Sequence, residues 1–122
     1  MKPKIIERGW GGHFICAERC LFRRNTLIDF GRKKIVVSTV GMMRDIHGED
    51  GSFDTIGAGG RYYETMAFRA RKEGPYWDAD VGKQIYFKSE WAICANSLKE
   101  LPPASDNLAN DMHDAVVAEL SK

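Results

Sequence analysis

Ile35-Val36-Val37-Ser38-Thr39-Val40 is the stretch that decides the fold. Five of its six residues are β-branched and none is charged, a composition that packs well on a pleated surface and poorly in a helix. The run is almost continuously apolar rather than alternating. It therefore reads as a central strand covered on both faces, bounded by Gly31 before and Gly41 after.

Working downstream, His47-Gly48-Glu49-Asp50-Gly51-Ser52 followed by Phe53-Asp54-Thr55-Ile56 is a hairpin signal, and Gly57-Ala58-Gly59-Gly60 breaks the chain again. From Arg61 to Arg71, the series Tyr62, Glu64, Met66, Phe68 and Ala70 alternates with a series that becomes charged, which predicts a strand with one buried side. After the turn Glu73-Gly74-Pro75-Tyr76, a strand should place Trp77, Ala79 and Val81 inward. Gly82-Lys83 should then separate it from a strand over 84–94 with Ile85, Phe87, Ser89, Trp91 and Ile93 on one face.

Upstream, 13–30 reads as a long strand with bulges, and a short helix over 14–24 remains as the alternative. At the other end, Leu101-Pro102-Pro103 halts regular structure. Ser105 or Asp106 then caps a helix whose apolar stripe is Leu108, Met112, Ala115, Val116 and Leu120.

The expectation is one α+β domain over 1–122: strand-rich from 5 to 95, a linker over 96–104 and a C-terminal helix over 105–121. Five to seven antiparallel strands should form a twisted sheet or half-barrel, with the helix packed on it. Parallel pairing would need crossovers that so strand-dense a chain does not supply.

The 122 residues, 43% hydrophobic and 29% charged, suffice for a core without disulfide or metal support. No apolar run approaches the roughly 20 residues that span a bilayer, and the start Met1-Lys2-Pro3-Lys4 lacks a signal-peptide pattern, so a soluble cytoplasmic protein is expected, with no membrane contact. Three cysteines, Cys16, Cys20 and Cys94, fit reduced thiols. On one strand Cys16 and Cys20 would lie roughly 13 Å apart, too far for a disulfide, which leaves only a pairing with Cys94 geometrically open.

The net charge of +1 hides a division: residues 1–44 carry ten basic against three acidic side chains, and the remainder is acidic on balance. Arg19, Arg23, Arg24, Arg32, Lys33 and Lys34, with Phe22, Phe30 and Trp10 near them, resemble the cation and stacking mixture of single-strand nucleic-acid binders. Solvated turn and strand charges explain the same residues more simply. Trp10, Tyr62, Tyr76 and Trp77 at strand starts and turns are of the type that anchors protein interfaces, or that closes the ends of a core.

Other constellations are weaker. Gly57-x-Gly59-Gly60 precedes a strand, whereas a phosphate cradle needs a helix N-terminus after it. Asp78-x-Asp80-x-Gly82 opens like a calcium loop but has Ser89 where the twelfth-position glutamate would stand. His13-x-x-Cys16 is the one locally spaced zinc-type pair, and no second pair answers it. Buried apolar-like thiols and solvated His47 and His113 are the simpler readings. No catalytic residue, cofactor or metal is assigned.

Arg8-Gly9-Trp10-Gly11-Gly12-His13-Phe14-Ile15-Cys16, Arg23-Arg24-Asn25-Thr26-Leu27, Arg61-Tyr62-Tyr63-Glu64-Thr65-Met66-Ala67-Phe68 and Asn110-Asp111-Met112-His113 resemble segments of small hypothetical proteins carried in bacterial and prophage genomes. The resemblance implies a mobile-element origin and no particular activity. The expected function is a non-enzymatic module that binds a macromolecular protein partner, such as a host-defence or phage-assembly protein, through Trp10, Arg19, Arg23, Arg24, Arg32, Lys33, Lys34, Tyr62, Tyr76 and Trp77. A nucleic-acid module using the basic half, binding weakly, and a small enzyme using His13, Cys16 and Cys94 are the alternatives; self-association is left open.

Overall fold

The structure, a computed structural model, describes residues 2–9, 12–13, 16–46, 53–57, 59–85, 88–94 and 105–122. Strand β3 (Lys34–Arg44) is its centre, and every residue from Ile35 to Met43 is buried. On one side it pairs with β2 (Cys20–Asp29), which pairs in turn with β1 (Lys4–Arg8). On the other side it pairs with β5 (Arg61–Glu73), followed by β6 (Tyr76–Gln84). The short β4 (Phe53–Asp54) extends the far end of β3, and β7 (Ala92–Cys94) lies on the first residues of β5. All pairs are antiparallel, and one helix, α1 (Asp106–Leu120), covers one face. This is the expected α+β architecture.

Local chemistry sets the β2–β3 turn. Gly31 has φ 91°, its N–H is accepted by Asp29 Oδ1 at 2.7 Å, and Phe30 N–H bonds the Lys33 carbonyl at 2.9 Å. The sheet is curled. Arg8 on β1 donates both to Asn25 Oδ1 and to the carbonyl of Trp77 on β6, and these strands are the two ends of the five-strand path. Only a half-barrel brings those ends together. Its concave side holds Leu27, Val36, Phe68 and Ala79, with Cys20, Val40, Met43 and Ile56 toward one end. The opposite face holds Ile28, Ile35, Val37, Ala67 and Trp91 against Val116, and Phe22, Met42 and Tyr63 against Ala109. Gly41 makes this second group possible: a Cβ there would lie 1.9 Å from Tyr63 Cδ1.

Several local expectations are corrected. The 13–30 strand begins only at Cys20, because Ala17–Arg19 is a single 3-10 turn. Strand β5 is buried on both faces in its middle, since the helix covers Tyr63, Thr65 and Ala67 while the curl encloses Glu64, Met66 and Phe68. Gly82-Lys83 does not end β6. Instead Ala79 faces Ala70 and Gln84 faces Phe68, so residues 80–83 bulge opposite Arg69, and Val81 is 54% exposed rather than inward. The strand expected over 84–94 is a 3-10 turn, Ser89–Trp91, and the three residues of β7. The turn 47–52, Phe87 and the linker 96–104 lie outside the described residues.

The helix is rotated about its axis from the expected stripe. Met112, Val116 and Leu120 pack on the sheet as expected, but Ala109 and His113 are buried with them, whereas Leu108 is 42% exposed and Ala115 faces solvent. The cause is the sheet beneath it, which offers a polar socket of Thr26, Thr39 and Thr65 at its centre. His113 Nε2 lies 2.7 Å from Thr26 Oγ1, His113 Nδ1 lies 2.7 Å from Thr39 Oγ1, and Thr39 Oγ1 lies 2.6 Å from Thr65 Oγ1.

The proton positions follow by elimination. Thr26 gives its hydroxyl hydrogen to Glu7 Oε2 at 2.8 Å, because an ionised carboxylate only accepts. Thr26 must therefore accept from His113 Nε2–H, and Nδ1 accepts from Thr39. Glu7 is in turn bound by Arg24 at 2.9 and 3.0 Å, and Arg24 reaches Asp114 and Asn110 of the helix at 2.9 and 3.2 Å. Burial works against the Glu7 charge, but the bonds from Arg24 and Thr26 hold its carboxyl below the usual value. Ser105, expected as a side-chain cap, instead shares a 2.7 Å hydrogen bond with Tyr63 Oη, which donates to Asp106 at 2.8 Å.

Burial first, and the Arg24 charge second, lower the His113 pKa from 6.5 to about 4, with Glu7 and Asp114 opposing. Between those values the unfolded chain binds a proton that the folded chain refuses, so stability is full above about pH 7 and falls as the pH drops. Urea denaturation should show a loss of about 2 kcal/mol between pH 7.5 and pH 5 from this group. His113→Gln, which keeps a donor and an acceptor, should flatten the profile; an unchanged slope would disprove the assignment.

Candidate functional site

The concave side of the half-barrel contains a pocket of about 490 Å³ lined by His13, Cys16, Arg19, Met43, Ile56, Gly57, Glu64, Met66, Phe68 and Val81. Each strand contributes for a local reason. Met66 and Phe68 share with Glu64 the face of β5 that the curl encloses, the β6 bulge turns Val81 to the rim, and Ile56 precedes the glycine turn into β5. Most of the lining is apolar, and the polar groups gather near His13.

His13 is 6% exposed and is held by Ser38 on β3. Ser38 Oγ lies 3.2 Å from the His13 backbone N–H, whose bond it accepts, and 2.8 Å from Nδ1. Gly12 permits this approach, since a Cβ there would stand 2.1 Å from Ser38 Oγ. On the other side of the ring, Nε2 lies 3.2 Å from Glu64 Oε1, and the Phe68 ring meets the imidazole edge-on with centroids 6.2 Å apart. A bare Nε2 would oppose its lone pair to the carboxylate, so Nε2 carries the proton and Nδ1 accepts the Ser38 hydroxyl. Nε2 is within ion-pairing range of Glu64 but has no hydrogen-bond partner among the described residues. Glu64 Oε2 is held at 3.1 Å by Arg61. The pocket thus presents an unengaged donor beside a buried acceptor.

At the same rim the 3-10 turn brings together the two cysteines that a strand would separate. Cys16 is half-buried and packs against Cys20, Val40, Met43 and Ile56. The neighbouring Cys20 thiol lowers the Cys16 pKa below the ordinary thiol value, with Arg19 assisting and burial and Glu64 opposing. The same contact, reinforced by burial, pushes the Cys20 thiol up.

The residues singled out as partner-binding in the sequence fall in several places. Arg19 bonds the Arg44 carbonyl at 3.0 and 2.8 Å, lies 3.8 Å from Asp54 and reaches the pocket rim. Arg23 is exposed on β2, while Arg24 is drawn into the Glu7–Asp114 network on the helix face. Arg32 and Lys33 sit in the β2–β3 turn, Lys33 over the Phe30 ring at 5.1 Å. Lys34 stands 4.4 Å over the Trp77 ring and 3.4 Å from Asp29. Tyr62 is half-buried beside Tyr63, and Tyr76 is 69% exposed in the β5–β6 turn. Trp10 lies outside the described residues. The structure thus joins Lys34 to Trp77 but separates Arg19 from the Arg32 turn by the length of β2, about 30 Å at strand rise.

Sequence reasoning passed over Ser38, Gly12 and Glu64. Glu64 did carry a signal, as the one charge in the series Tyr62, Met66, Phe68 and Ala70. The proximity of His13 to Ser38, 25 residues away, had none. A second recess of about 570 Å³, lined by Arg69, Arg71, Asp80 and Lys83 among others, opens at the β6 bulge and is charged rather than apolar. Among the described residues, no three His, Cys, Asp or Glu side chains are grouped to hold a metal, and no helix is long and apolar enough to cross a membrane. No protein-family model, curated protein or solved structure matches this chain.

Ser38→Ala removes the group that orients His13 and leaves Nδ1 buried without a donor. A stability loss of about 1–3 kcal/mol is expected in urea denaturation, with nitrogen NMR showing His13 leave the pure Nε2–H tautomer. Unchanged stability and tautomer would remove Ser38 from the site.

Proposed function

We propose that the chain is a non-enzymatic binding module whose concave pocket takes a small, mainly apolar molecule bearing one hydroxyl or primary-amide head. The observation that carries this reading is the buried His13 Nε2–H, without a hydrogen-bond partner among the described residues, beside Glu64 in a mainly apolar cavity. A head group that both accepts and donates completes His13 and Glu64 together, and its alkyl part meets Met43, Ile56, Met66 and Phe68. The volume suits such a ligand, since pockets for small molecules run from about 300 to 1,000 Å³.

Titration of labelled protein with hexanamide and hexanol should shift the amides of Glu64, Met66, Phe68 and Val81. Glu64→Gln should weaken hexanamide about tenfold, the effect of losing one charge-assisted hydrogen bond. Shifts confined to other surfaces, or none at millimolar ligand, would reject the pocket as the binding site.

A protein partner is the second reading, favoured by exposed apolar side chains on both edges of the sheet, Ile5 and Ile6 on β1 and Tyr76 and Val81 on β6. Edge pairing of this kind uses main-chain bonds and would leave the pocket free. The mobile-element origin rests on the sequence resemblance alone, and the cytoplasmic setting on the sequence pattern alone.

A further inference from the structure

We propose that Cys16 and Cys20 form an oxidant-responsive dithiol at the pocket rim, in which Cys16 attacks hydrogen peroxide and Cys20 closes the product into an intramolecular disulfide. Three features of the cluster carry this. The 3-10 turn Ala17–Arg19, closed by Arg19 N–H to the Cys16 carbonyl at 3.1 Å and by Cys20 N–H to the Ala17 carbonyl, places both thiols in one contact cluster. Their exposure differs: Cys16 lines the cavity, whereas Cys20 is 3% exposed behind it, so a soluble reagent meets Cys16 first. The cationic Arg19 lies between them in sequence and on the same rim, where it favours a thiolate at Cys16. Because both cysteines pack in one cluster across a single 3-10 turn, closure requires local adjustment of side chains and turn and no separation of strands.

The chemistry balances in two steps. The Cys16 thiolate attacks one peroxide oxygen, the O–O bond breaks, an S–O bond forms, and hydroxide leaves to take up a proton as water. The Cys20 sulfur then attacks the Cys16 sulfenic sulfur, an S–S bond forms, and the departing hydroxide takes the Cys20 proton as a second water. Two thiols are oxidised by two electrons and one peroxide is reduced. Cys94, half-buried with its thiol 3.5 Å from the Gly59 carbonyl, sits opposite Arg61 in the β5–β7 pair, outside the Cys16–Cys20 cluster, and serves as the internal reference.

The test uses the whole chain in its native state. One equivalent of hydrogen peroxide, followed by alkylation in denaturant, should give a chain that has lost two hydrogen atoms and carries one alkyl group, on Cys94. Trypsin, cutting after Arg8, Arg19 and Arg23, should then release peptide 9–19 disulfide-bonded to peptide 20–23. Without peroxide, native iodoacetamide should modify Cys16 at least tenfold faster than Cys20 or Cys94. In Cys20→Ser, dimedone should trap a sulfenic acid on Cys16, and in Cys16→Ser no disulfide should form. Alkylation of all three thiols after peroxide, a bridge to Cys94 or between chains, or equal native labelling of Cys16 and Cys94 would overturn the proposal. The wild-type measurements decide it without reliance on either variant folding.

Discussion

Strand β3 carries apolar or hydroxyl-bearing side chains, apart from Gly41, at every position from Ile35 to Met43, and a strand of that composition cannot leave either face in water. An antiparallel sheet ordinarily buries one face and wets the other, so two separate covers are needed here. Helix α1 supplies the first, over Ile28, Ile35, Val37, Ala67 and Trp91. Curling of the sheet supplies the second, and the Arg8 bridge from β1 to the carbonyl of Trp77 fastens the curl. The pocket is a consequence of the second cover. Side chains on a curled sheet converge from several strands but do not fill its open end, and the remaining space lies between His13, Met66 and Phe68.

The adjacent residues Ser38 and Thr39 put hydroxyls on opposite faces of that strand. Each orders one histidine: Ser38 holds His13 on the concave side, and Thr39 holds His113 under the helix. The two imidazoles have unequal surroundings. His113 has both nitrogens bonded by threonines and is sealed from solvent, so its ring has a structural task, fixing the rotation of α1 on the sheet. His13 has one nitrogen bonded, while the other stands beside a carboxylate at a cavity wall. Buried polar groups are ordinarily satisfied; His13 Nε2 and Asn25 Nδ2 are not, and of the two only His13 lines the pocket.

How much of this was legible in the sequence depended on the range of the interaction. β3, the turn at Gly31, the glycine break before β5 and the C-terminal helix were all readable, because each is written in consecutive residues. The helix's orientation was not. Met112, Val116 and Leu120 of its apolar stripe dock but Leu108 and Ala115 do not, since the sheet presents threonines drawn from three strands and only His113 answers them. The pocket was hidden for the same reason. His13, Ser38 and Glu64 come from three segments, and only the Glu64 charge within an apolar series hinted that one of them was out of place. The cysteines failed differently: a strand over 13–30 was the better reading of the pattern, yet one 3-10 turn of three residues converted a wide separation into contact.

The distribution of positive charge illustrates why a sequence-level asymmetry need not become a surface field. Residues 1–44 contribute β1, β2 and β3, which lie side by side, so their cations would have formed a patch if all pointed outward. Alternation along the strands instead sends Arg8 into the concave side and Arg24 to the helix face, where Glu7, Asp114 and Asn110 engage it. Lys34 is turned back onto Trp77 and Asp29, and Arg19 onto the Arg44 carbonyl. Cations engaged in this way contribute to closing the half-barrel and docking the helix. A polyanion would have to displace those contacts to use these four, whereas Arg23, Arg32 and Lys33 stay exposed on β2 and the turn that follows it.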